Sequence, residues 1–446
     1  MQNIKSKVFN KNEKSLKKEE IEEKLKINEN ISFGENVGFH EISNNEENID
    51  FYEVQNNEVN INTHQILNNI GINEVSYVPY SNEVDYATFS RVLSDSKVVA
   101  TYKMYWLLGV LDEASIGNVE IRFRKLISRM ITYAWYPILA YKLSFGLCDN
   151  LVKVVNYIAD TYNLGSNYDE KKLLEFIYNN EDKTLNKMMK DLTYNVPYRF
   201  LSPFFQGKLK GETTKVEKII EELSKESKTC VYSIYKNEDN ESYIRINDGW
   251  DNYLKYNYKI IQGWAYYKLV CFLQKRNPNT PGIAMKLEAP KSRNLTAQTA
   301  IWKEIIQRKH IVDIYTDKEF IDDNYKTYGV LSLDHFIPWS FVLHDQMWNL
   351  VPTFKNINSK KSDNLLDYDA YIDKFCNIQY EAFEFVVNEK KKNQVEEYRE
   401  MLKIANPKEF LEKESKEVFF KMIKKEVYPV YNIAVNQGFG VVNELF

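Results

Sequence analysis

The sequence predicts a mainly α-helical protein: a large helical N-terminal and central region, a small strand–strand–helix module towards the C-terminus, and a helical tail. Three observations predict it. Between about residues 85 and 228 apolar side chains recur at helical spacing, as in "FSRVLSDSKVVATYKMYWLLGVLDEA" (89–114) and "IRFRKLISRMITYAWYPILAYKL" (121–143). The stretch "YGVLSLDHF" (328–336) instead alternates after a glycine, the mark of a strand. Beyond about 367 the helical pattern returns with mixed charge. At 446 residues the chain exceeds one ordinary core, so two or three packed units are expected.

Residues 1–75 are rich in Asn, Glu and Lys and lack tryptophan. With 8 lysines, no arginine and 14 acids they carry a net −6, and such a polar segment is expected to be flexible. Within it, "EKSLKKEEIEEKLK" (13–26) predicts at most a short solvated helix. The region 76–228 reads as an α-helical domain, continuing through "LVKVVNYIADTYN" (151–163) and "KKLLEFIYN" (171–179) to the amphipathic "TTKVEKIIEELSKES" (213–227). Region 229–310 opens with a hairpin signature, "CVYSIYKNEDNESYIRI" (230–246), followed by one long helix over 250–276 and a break at "NPNTPGI" (277–283). It closes on "MKLEAPKSRNLTAQTAIWKEIIQRKH" (285–310), a net +4 run that reads equally as a solvated helix face or a rail for phosphates. Residues 311–366 form the compact module, and 367–446 a helical tail that braces it.

Composition excludes several classes. Residues 76–446 hold 51 bases against 49 acids, too balanced for a protein that coats DNA through one broad basic face. The cysteines at 148, 230, 271 and 376 form no CxxC pair, so neither structural zinc nor a disulfide framework is expected, and dispersed thiols suit the cytoplasm. No signal peptide opens the chain, and the most apolar stretch (130–148) contains Lys142 and reads as a buried helix pair, not a membrane span. "GKLKGETTK" (207–215) has its glycines and lysines in the wrong order for a phosphate-cradling loop.

The chemistry concentrates in "LDHFIPWSFVLHDQMWNLVPTFKNINSKKSDNL" (333–365). "NLVPT" (349–353) reads as a second strand, and Thr353 is placed to cap a helix through "FKNINSKKSD" with Phe354 and Ile357 inward. An Asp-His pair, "IPWSF", a central asparagine and "NxxKSDN" occur in that order. Together they resemble the HNH nuclease family, closest to the HNH segments of CRISPR effector nucleases and standalone bacterial HNH endonucleases. The resemblance covers about 35 residues. It implies a ββα-metal fold, here without the family's frequent CxxC zinc pairs, so apolar packing around Trp339 and Trp348 must hold it.

The resemblance also implies roles. His335 is the general base, since a neutral imidazole takes a proton near neutral pH. Asn349, or the backbone beside it, supports that ring. Asp334 and Asn358 hold one Mg²⁺ or Mn²⁺, with Asn356 competing for Asn358's place. Lys360 and Lys361 contact the nucleic-acid backbone, and Lys291, Arg293, Arg308 and Lys309 extend the surface. His344 and Asp345 read as surface polar residues of the loop. The expected activity is metal-dependent hydrolysis of DNA, with a role in anti-phage defence implied by the family's standalone members. The alternatives are a catalytically silent nucleic-acid-binding scaffold and an RNA-cutting toxin with the same site.

Overall fold

The computed structural model describes residues 78–446 except 95–97, 239, 291, 292, 444 and 446. The acidic N-terminal segment and its proposed helix over 13–26 lie outside the described residues, as does Lys291. No described helix is long and apolar enough to cross a membrane.

Two hydrophobic cores organise the described chain. The first gathers Val78 through Leu287, the second Ile301 through Leu445. At the centre of the first lie α1 (Tyr102–Ser115) and α2 (Phe123–Leu139). Nearly every side chain of α1 is buried, Trp106, Leu107 and Leu111 among them, as expected of a helix that is apolar all round. Its first turn is held from outside: the buried Asp149 accepts from the Thr101 amide at 2.9 Å and the Thr101 hydroxyl at 2.6 Å. Ahead of α1, where the sequence predicts helix from residue 89, the described residues form a short turn of helix at Tyr86–Phe89, and 95–97 lie outside the described residues. Likewise α2 ends at Leu139, so 130–148 is a helix end followed by a loop, not a helix pair.

Around this centre pack α3 (Leu151–Tyr162), α4 (Glu170–Asn179), α5 (Lys183–Leu192) and α6 (Val216–Glu226). Asp169 and Asp182 cap α4 and α5 through their side chains. The expected hairpin forms, and a third strand joins it. β1 (Glu120–Arg122), β2 (Tyr232–Lys236) and β3 (Ser242–Ile246) make an antiparallel sheet in the order β1-β3-β2, with Ile121 and Ile234 flanking Ile244. The long helix foreseen over 250–276 is interrupted at Asn257, giving Trp250–Tyr256 and α7 (Tyr258–Arg276).

The second core begins with α8 (Thr296–Lys309) and carries β4 (Leu331–His335) and β5 (Leu350–Phe354), paired antiparallel so that Asp334 faces Val351 and His335 faces Leu350. Helix α9 (Lys355–Lys361) follows β5 directly and packs on β4. Thr353 does not cap it. The first turn starts from Phe354 with no side-chain bond, because Thr353 is fully buried in the strand, while Phe354 and Ile357 enter the core as expected. Gly329 enters β4 at φ +90°, and a Cβ there would stand 3.0 Å from the Asn356 side chain, so this turn needs glycine. The tail supplies α10 (Tyr368–Asn388), α11 (Lys392–Leu402) and α12 (Lys416–Asn436). It ends by adding Val441–Val442 alongside Leu365–Leu366 as a short parallel pair, tying the chain's end to the residues after α9.

Candidate active site

The candidate residues converge at the C-terminal end of β4. Alternation along the strand turns Leu333 into the core, and the short β4–α9 distance brings Asp334 and His335 beside the helix. Both are buried, at 3% and 5% exposure. The Asp334 carboxylate accepts from the Lys361 ammonium at 3.0–3.2 Å and from the Tyr315 hydroxyl. Lys361 also donates to the His335 carbonyl at 2.8 Å and is 1% exposed. Expected on the nucleic-acid surface, Lys361 is instead an internal counter-ion, its buried ammonium paired with the buried carboxylate of Asp334. Burial and the Asp334 charge push the Tyr315 phenol well above its ordinary pKa, so it remains a donor.

The His335 ring lies between two partners. Nε2 is 2.8 Å from Asp345 Oδ1, and Nδ1 is 3.4 Å from Arg293 Nη1. Arginine has donors only, so Nδ1 must present its lone pair and Nε2 must carry the proton that Asp345 accepts. That is a neutral imidazole in one fixed tautomer. Burial opposes ionisation of Asp345, but the bond from His335 and the nearby charge of Arg293 hold its carboxyl below the usual range. Asp345 and Tyr315 are the partners sequence reasoning missed. The one signal for Asp345 was its presence, beside His344, in the loop joining the two strands; nothing in the sequence pointed to Tyr315. His344 is half-buried: burial, followed by the nearness of His335, lowers its pKa to about 4, and its ring lies 5.2 Å from that of Trp348.

Asn349 does not reach the histidine ring. Its side chain accepts from the Ile337 amide at 2.8 Å and donates to the Ile337 carbonyl at 2.9 Å, while its own carbonyl accepts from Phe336. It clamps the two residues that follow His335. Asn358 turns towards β4, its amide nitrogen donating to Ser332 Oγ and the Leu333 carbonyl, both at 2.9 Å. Those two bonds fix the orientation of the amide. The competing Asn356 lies against Gly329.

Among the described residues no three His, Cys, Asp or Glu side chains gather as a metal cluster. The donors that remain are oxygens, from Asp334 and Asn358, and hard oxygens suit a cation that keeps most of its waters, not zinc. A carboxylate offers about four lone-pair positions; Lys361 and Tyr315 engage three on Asp334. What is left for a cation is one acceptor position on Asp334 and the Asn358 amide oxygen, and the Lys361 ammonium already meets the Asp334 charge.

Of the outlying bases among the described residues, Arg293 alone touches the site. Its guanidinium lies 4.8 Å from the Trp339 ring centroid. Arg308 pairs with Glu389 at 2.6 Å, and Lys309 with Glu384 and with Glu381 at 3.3 Å, so both pin α8 to α10. The net +4 of this run therefore does not form a continuous rail. Lys360 is exposed on α9.

Residues 313–365 match the HNH endonuclease family model. The chain carries an HNH endonuclease domain. The match spans β4, β5 and α9 and begins at Asp313, a buried acid that bonds the Thr316 amide and hydroxyl just ahead of Tyr315. HNH nucleases generally use a divalent metal, and an HNH domain implies nucleic acid as partner. No curated protein and no solved structure matches the chain.

Proposed function

We propose that the protein is a metal-dependent endonuclease that hydrolyses DNA phosphodiester bonds at the HNH domain. The observation that carries this reading is the His335 ring, buried at the end of β4 with its tautomer held by Asp345 and its lone pair directed at Arg293. Arg293 is a donor that a phosphate oxygen attracts away from the imidazole, which frees Nδ1 as substrate arrives. Nδ1 then takes a proton from a water whose oxygen bonds to phosphorus. The bond to the leaving 3′ oxygen breaks, and that oxygen takes a proton from solvent, leaving a 5′-phosphate and a 3′-hydroxyl. Asp345 stabilises the imidazolium formed, as an orienting carboxylate does. Asp334 and Asn358 would hold Mg²⁺ or Mn²⁺, which when bound neutralises phosphate charge and stabilises the departing oxygen. Asn349 keeps the chain after His335 in place. Action on invading phage DNA belongs to the same proposal and rests on the sequence resemblance.

The test is cleavage of DNA and RNA substrates with Mg²⁺, Mn²⁺ or EDTA, by the parent protein and His335→Ala. The reading expects metal-dependent DNA cutting that falls by about 100- to 10,000-fold in the variant. Equal cutting by the two proteins would refute it, and cutting of RNA alone would reassign the substrate.

A further inference from the structure

Beside His335 a cleft of about 590 Å³ opens between the helical region and the HNH domain. Ala140 and Ser166 line one side, Trp339, Ser340 and Asp363 the other, and Arg293 stands between them. We infer that this cleft receives one unpaired nucleotide next to the scissile phosphate, so that the strand cut is single-stranded at the site. The inference rests on the nuclease reading for the phosphate's position and on the cleft for everything else.

Three features support it. Arg293 links cleft to reaction centre, its guanidinium 4.8 Å from the Trp339 ring centroid while its Nη1 lies 3.4 Å from His335 Nδ1. Aromatic rings and guanidinium planes are the surfaces on which splayed bases stack. Asp363 lies at the cleft wall, its two oxygens each 2.6 Å from the Ser340 hydroxyl. One hydroxyl proton cannot satisfy both oxygens, so the carboxylate retains acceptor capacity for an exocyclic amine or ring N–H of a base.

The walls are also fixed. Lys286 of the helical region donates to the Phe341 carbonyl, and Gln437 of the tail donates to the Tyr141 carbonyl at 2.7 Å, next to Ala140. A cleft held at this size lies within the roughly 300–1,000 Å³ typical of sites that enclose one small-molecule-sized group. It has room for one nucleotide.

The test measures binding to His335→Ala, which separates it from catalysis, using three fluorescent DNAs of one sequence: a single strand, a duplex with an internal bubble, and a full duplex. The single strand and bubble should bind at least about tenfold more tightly than the duplex, since only the duplex must be unpaired. Trp339→Ala should weaken single-strand binding by about 5- to 150-fold, and Trp339→Phe, which retains a stacking ring, should recover most of it. Equal binding of all three DNAs, binding of none, or an unaffected Trp339→Ala protein of unchanged circular dichroism would overturn the inference. If the binding order holds while the parent cuts nothing, the nuclease reading falls and the cleft assignment stands.

Discussion

Two carboxylates near His335 do different work because their surroundings differ. Asp345 is half-buried, bonds the histidine ring with Arg293 and His344 nearby, and so acts on the imidazole. Replacing Asp345 with Asn keeps the shape but presents an amide that no longer demands a proton from Nε2. Cleavage should drop by about 10- to 100-fold with substrate affinity unchanged, measured as kcat against KM. Asp334 is buried against an ammonium and a phenol. Lys361→Met should leave the Asp334 carboxylate buried without its counter-ion, costing about 3–5 kcal/mol in urea unfolding, and the double change Asp334→Asn with Lys361→Met should restore part of that loss. The sequence marked Lys361 as a residue of note by its place in the motif. It did not reveal that the side chain points inward, since that depends on how closely α9 packs on β4.

At the level of elements, the HNH segment is a hairpin with a long connection. The 14 residues 336–349 between the two strands would wander without internal ties, as long connections do; Asn349 supplies them through its two bonds to Ile337. Asn349→Ala leaves two buried backbone groups unpaired and should destabilise the protein by about 1–3 kcal/mol, measured by urea unfolding. The strands and α9 were legible because their patterns are local: alternation to 335, an apolar run from 350, and inward Phe354 and Ile357. The break of the 250–276 helix at Asn257, the third strand Glu120–Arg122 and the true start of α9 were not, because each is decided by packing between segments distant in sequence.

Across the whole molecule, Lys286 joins the two cores. It is fully buried, donates to the Phe341 carbonyl, and burial lowers its pKa from 10.5 to about 7. Below pH 7 the folded and unfolded chains both hold this proton. Between about 7 and 10.5 only the unfolded chain does, so the group makes stability rise with pH across that window, by at most about 1.4 kcal/mol per unit. Urea midpoints at pH 6.5 and 9.5 should therefore differ more for the parent than for Lys286→Met. By itself the sequence determined the helical class and the strand–strand–helix order, because periodicity and motif order act over short distances. Only the tertiary structure decided that Asp345 and Arg293 hold the histidine, that Lys361 is internal, and that Arg308 and Lys309 are matched by acids of α10. Those outcomes follow from which side chains meet across chain separations of ten to eighty residues, where burial and charge pairing choose partners that no spacing rule encodes.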